Sequence, residues 1–175
     1  MRRLALLTMV AYSVASPAYA QHEHGESPYA GMESSEIPSL TTQEIEGLRS
    51  GAGMGFAKPA ELNHYPGPKH VLELTESLGL TDEQRSEILG IESAMRIGAI
   101  ELGNAIIDAE RKLNMSFEHG HMDDENLAAV TGKIARLYGE LRYTHLRAHL
   151  TTRDILTQEQ IAEYDRLRGY RYTKH

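Results

Sequence analysis

Glu118-His119-Gly120-His121-Met122-Asp123 decides the reading of this chain, because it interrupts two long runs of helical apolar spacing. Upstream, Ile88, Ile91, Met95, Gly98, Leu102, Ala105, Ala109 and Leu113 recur three and four residues apart. That spacing puts them on one face of a helix running from Asp82 to about Glu118, roughly 55 Å long at 1.5 Å per residue. Downstream, Leu127, Val130, Ile134, Leu137, Leu141, Thr144 and Ala148 repeat the rule, with Asp123 or Asp124 placed to cap a second helix. Two striped helices joined by about five residues fold back on each other. The expected core is therefore an antiparallel helical hairpin over residues 81–153, in an all-α chain without strands.

Working outward, each end of the hairpin carries a helix-starting signal. Leu80-Thr81-Asp82-Glu83-Gln84 precedes the first long helix, and Leu156-Thr157-Gln158-Glu159-Gln160 opens a short final helix with Ile161, Tyr164 and Leu167 on its inner face. In each, the threonine hydroxyl can accept from an early amide and the glutamine can reach back to the cap. A weaker copy, Leu40-Thr41-Thr42-Gln43-Glu44, predicts a short helix ending near Gly51, followed by a glycine-rich hinge from Ser50 to Gly55. Pro66-Gly67-Pro68 predicts a turn leading into one more short helix, stopping at Gly79. Leu89, Ile97, Ile100, Ile106 and Ile107 lie outside the main stripe, too many for a two-helix seam to hide. They call for flanking helices, a partner surface or a dimer interface.

Residues 1–20 combine Met1, Arg2 and Arg3 with an apolar run from Leu4 to Ala15 and the small-x-small site Ala18-Tyr19-Ala20. This is the pattern of a cleaved export signal, too short to serve as a spanning helix. Residues 21–39, rich in Glu, Ser, Gly, Pro and His, are expected to form a disordered arm. Residues 40–175 are expected to be a single helical domain. The full chain carries a net charge of −7, and removal of the signal makes it two units more negative, which disfavours nucleic acid as a partner. No cysteine is present, so disulfides and thiolate ligands are excluded. Nine Tyr, two Phe and no Trp favour elongated helices over a large globular core. Nucleophile elbow, phosphate-binding glycine loop and His-Glu-x-x-His are all missing, so a binding protein rather than an enzyme is expected.

Two Leu-Thr-x-x-Gln strings flanking a long hairpin resemble the LTxxQ signature of the Spy/CpxP group and its relatives, the periplasmic heavy-metal sensors. The resemblance spans roughly residues 60 to 168. The element Asn63-x-Tyr65-Pro66-Gly67-Pro68-x-His70-Val71-Leu72-Glu73-Leu74 is similar to one in the sensor-like branch. The resemblance implies a periplasmic, homodimeric protein that responds to heavy metal. It equally implies the alternative, an ATP-independent chaperone or envelope-stress regulator acting on unfolded clients or a signalling partner through the hairpin surface. No membrane span is expected in the mature chain.

His145 and His149, four residues apart on the second long helix, project from one face at chelating spacing. With the reversal near residue 120 they fall opposite positions near 96 and 92, which makes Glu92 the nearest oxygen donor, with Glu87 and Glu101 as alternatives. His64 and His70 could fold over the same end. The resemblance to nickel and cobalt sensors implies this, although the spacing of six across Pro-Gly-Pro departs from helical ligand spacing. The expected ion is a divalent transition metal, Zn, Ni, Co or Cu. His119, His121 and Met122 at the hairpin tip, with Met115 one turn earlier, form a secondary cluster whose imidazole and thioether donors suit Cu(I). His22 and His24 could capture metal weakly.

Overall fold

The structure is a computed structural model that describes residues 27–170. The expected export signal, with His22 and His24, lies outside the described residues. Among those described, every regular element is an α-helix: α1 (Thr42–Ser50), α2 (Lys58–Glu61), α3 (Pro68–Glu73), α4 (Thr75–Leu78), α5 (Asp82–Glu118), α6 (Asp124–Ile155) and α7 (Gln158–Arg168). The long pair is α5 and α6, packed along each other. No described helix is long and apolar enough to cross a membrane.

The chain reverses between α5 and α6 through a left-handed Gly120 at φ 67°. Gly120 N–H donates to the Phe117 carbonyl and His121 N–H to the Ser116 carbonyl, satisfying the last carbonyls of α5. Asp123 then caps α6 by accepting from the Asn126 amide at 2.8 Å.

Thr41, Thr81 and Thr157 all form reciprocal capping boxes, with Glu44, Gln84 and Gln160 respectively. The two glutamine boxes do more than cap. Gln84 Nε2 donates to Gln160 Oε1 at 2.9 Å, and Gln160 Nε2 donates back to Gln84 Oε1 at 3.0 Å. Gln84 Nε2 also reaches the Ile155 carbonyl at 3.0 Å, closing the end of α6. A glutamate at either position would bring acceptors alone, so the amide is what joins the start of α5 to the start of α7.

Two clusters form the core. One gathers Ile37, Leu48, Ala99, Ile106, Ile107 and Leu141, and the other Val71, Leu78, Ile88, Leu156, Ile161 and Tyr164. In the first, α1 lies so close to α5 that a Cβ on Gly103 would come within 2.2 Å of the Leu48 carbonyl oxygen. Ile106 and Ile107 are thereby buried, whereas Leu89 and Ile97 stay about half exposed. The flanking helices thus cover part of the apolar surplus and leave part open.

Two local differences from the sequence reading have plain causes. Residues 34–39, expected in a disordered arm, are tied to the hairpin. Ile37 is buried, the Ser39 hydroxyl donates to Glu110 at 2.8 Å, and Arg111 donates to Glu36 at 2.5 Å. A single apolar plug leaves no periodicity to read. The helix expected to run to Gly79 is split at Leu74 into α3 and α4, where the Thr75 hydroxyl donates to the Leu72 carbonyl at 2.7 Å.

Candidate functional site: a buried histidine pair beside a cavity

The buried stripe of α6 is Leu141, His145, Ala148, His149 and Thr152. The histidines therefore sit on the inner face of the helix, not on a polar flank. They fall where α6 passes from the Leu141 cluster to the Leu156 cluster, so neither is sealed by aliphatic packing. Beside them opens a cavity of about 410 Å³, whose wall also carries His70, Glu92, Met95 and Gly67.

His149 is 8% exposed, and its Nδ1 lies 2.7 Å from the Tyr65 carbonyl and 3.6 Å from Glu61 Oε2. Both neighbours only accept, so Nδ1 carries a proton, and the lone pair of the neutral tautomer falls on Nε2. That nitrogen faces Gly67: a Cβ built there would stand 3.0 Å from Nε2 and 2.8 Å from Cε1. Glycine at position 67, at an ordinary φ of −81°, thus leaves open a space beside the lone pair.

His145 is 2% exposed and stacks on Phe56, with ring centres 5.8 Å apart at 14°. Its Nε2 is buried without a hydrogen-bond partner. An orphaned buried polar atom costs of order 1–3 kcal/mol, a cost that a water or a bound ion in the adjoining cavity would relieve. Burial first, and the adjacent His149 second, push the His145 pKa below its ordinary value, leaving the ring neutral. A neutral imidazole is the form that ligates metal.

Of the remaining residues expected in this site, Glu92 lines the cavity with its carboxylate 3.8 Å from Arg96. His70 lines it as well, its Nδ1 2.8 Å from Glu73. His64 is turned elsewhere: at φ 66° its Nδ1 meets the buried Asp165 on α7 at 2.6 Å. Glu87 and Glu101 are exposed and do not line the cavity. Among the described residues, no three His, Asp or Glu side chains are gathered tightly enough to form a closed metal shell. The arrangement is two buried nitrogens with further donors on the same wall.

The sequence reading did not single out Glu61, Gly67 or Phe56 around the pair, nor Met95 as a donor. Glu61 accepts from Tyr164, from Tyr170 at 3.1 Å, and stands 3.7 Å from Arg168, so it links the His149 ring to α7. Burial and then the Glu61 carboxylate push the Tyr164 hydroxyl far above its ordinary pKa. Met95, by contrast, was legible as one turn of helix beyond Glu92. No protein-family model matches the chain, and neither curated proteins nor solved structures give a significant match.

Proposed function

We propose that this is an exported metal-binding protein of the Spy/CpxP type, one that responds to heavy metal in the periplasm as a homodimer and performs no catalysis. The observation that carries the reading is the inner-face pair: His145 with an unpartnered buried Nε2, and His149 with Nδ1 committed to the Tyr65 carbonyl. Outer-sphere hydrogen bonding of one imidazole nitrogen is how ligand histidines are oriented and their basicity raised. The residues fit a divalent transition ion, with His145 and His149 as fixed nitrogens and Glu92, His70 or Met95 as the donors that would move to complete the set. An ion at such a site would join α6 to the α3 segment and α5, so its arrival could reach α7 through Glu61.

Calorimetric titration of the signal-free chain with Zn, Ni, Co and Cu(II) tests this. Binding tighter than about 100 µM that is lost in His145→Ala/His149→Ala supports it; full retention of binding by that variant overturns it. Cobalt absorption bands on the parent chain report nitrogen ligation without any substitution.

A second reading, an ATP-independent chaperone or envelope-stress regulator, draws on the apolar surface left on the long helices. Leu89, Ile97, Tyr143 and Leu150 are each more than half exposed, and such side chains suit contact with unfolded clients. Suppression of client aggregation by the metal-free protein at stoichiometric ratio is the expected result. No change in aggregation would remove this reading.

A further inference from the structure

The tip of the hairpin brings together donors of a different kind. Met115, on the last turn of α5, is 47% exposed and lines one surface depression with His119 and His121. His119 Nδ1 donates to the Met115 carbonyl at 2.8 Å, so the lone pair of the neutral tautomer falls on Nε2. The His121 backbone is held by its amide bond to the Ser116 carbonyl, immediately after left-handed Gly120. The two histidines therefore hang from a hydrogen-bonded helix terminus, not from a loose loop. Their ring centres are 6.0 Å apart. An ion about 2.0 to 2.1 Å from one nitrogen of each ring stands about 3 Å from either ring centre, so 6.0 Å is the reach of a near-linear pair, and a small turn of either exposed ring closes the angle to admit the thioether.

We propose that Met115, His119 and His121 form a second metal site, selective for a soft monovalent ion, Cu(I), and separate from the His145/His149 pair. A thioether with two imidazoles is the donor set that favours Cu(I) over Mg, Ca or Mn. None of the three donors brings a negative charge to the ion. Arg111, Lys112 and Asp108 line the same depression, and the Asp108 carboxylate is engaged by Arg111 at 2.6 Å. Of the two methionines the sequence offered at the tip, Met122 does not line this depression and Met115, one helical turn before His119, does.

The test uses the full signal-free chain with its methionine methyls labelled with ¹³C, titrated with Ag(I), a diamagnetic stand-in for Cu(I). The expected result is a shift of the Met115 methyl and of the His119 and His121 ring signals that saturates at one equivalent, while Met95 reports the inner cavity independently. An unmoved Met115 methyl, or a response confined to Met95 or Met122, overturns the proposal. In anaerobic competition with a coloured Cu(I) chelator, Met115→Leu and His121→Ala should each weaken binding by at least the roughly 10- to 100-fold that loss of even an outer-sphere partner brings. Unchanged Cu(I) affinity in both variants overturns it as well. Both positions are exposed, so these variants retain the fold, and His145→Ala/His149→Ala leaves the tip signal in place.

Discussion

The two halves of the hairpin are built to different rules. From Ile88 to Glu110 on α5 and from Leu141 to Thr152 on α6, the helices are covered by α1, α2 and α3, with buried residues at Ile88 and from Ala99 to Glu110 on α5 and at every turn of the α6 stretch. From residue 111 to residue 140, not one residue is buried. The distal part is a two-helix arm whose seam, Leu113, Leu127, Val130, Ile134 and Leu137, is only half covered. Each half carries a histidine pair, and the surroundings give them different chemistry: buried rings, one held by the Tyr65 carbonyl and one with an unpartnered Nε2, at one end, and exposed rings beside a thioether at the other.

The strongest way to break this contrast is at the glycines. Gly103→Ala places a Cβ 2.2 Å from the Leu48 carbonyl, an atom of helix backbone that cannot swing aside. A loss of about 3 kcal/mol in urea unfolding is expected, the upper end for overpacking. Gly120→Ala meets no atom within 4 Å but must hold a left-handed φ, so a loss nearer 1 to 2 kcal/mol is expected. Equal losses would refute the division into a packed and an open half.

The capping boxes sharpen the comparison within the packed half. Gln84→Ala removes a cap and one side of the Gln84–Gln160 pair, with an expected cost of about 2 kcal/mol. A double-mutant cycle with Gln160→Ala should show a coupling of about 1 kcal/mol. Glu44→Ala breaks an exposed box with no partner beyond α1 and should cost about half as much as Gln84→Ala. A vanishing coupling energy would reduce the duplicated motif to two independent caps.

Acid distinguishes the histidines. Because burial holds the His145 pKa below its ordinary value, the unfolded chain takes up a proton as pH falls past about 6.5 while the folded chain does not. The stability contributed by the neutral ring is thus present above that pH and is lost as pH falls toward the lowered value. The slope is at most about 1.4 kcal/mol per pH unit. Urea midpoints measured from pH 7.5 to 5.5 should fall more steeply for the parent than for His145→Gln. Parallel curves would mean that the ring is not held neutral by its surroundings.

The smallest effect belongs to the tip. His121→Ala should change stability by no more than about 0.5 kcal/mol at pH 7, since its side chain is exposed and its ring neighbour, His119, is exposed as well. A larger loss would show that the tip histidines are structural.

The helices, their caps and the reversal at Gly120 were legible from local chemistry, because a threonine three residues before a glutamine, or a glycine past a helix end, acts within one turn of the chain. The chelating spacing of His145 and His149 was legible for the same reason. Their burial was not. It depends on α2, the Phe56 loop and the Tyr65-to-Pro68 segment closing over α6, and His149 meets Tyr65 across 84 residues of sequence. The Gln84–Gln160 pair, the crossing at Gly103, the turning of His64 toward Asp165 and the choice of Met115 over Met122 are likewise outcomes of packing between distant segments or of side-chain direction. Helical periodicity names a face; which neighbour covers it, and therefore which nitrogen loses its water, is settled by the fold as a whole.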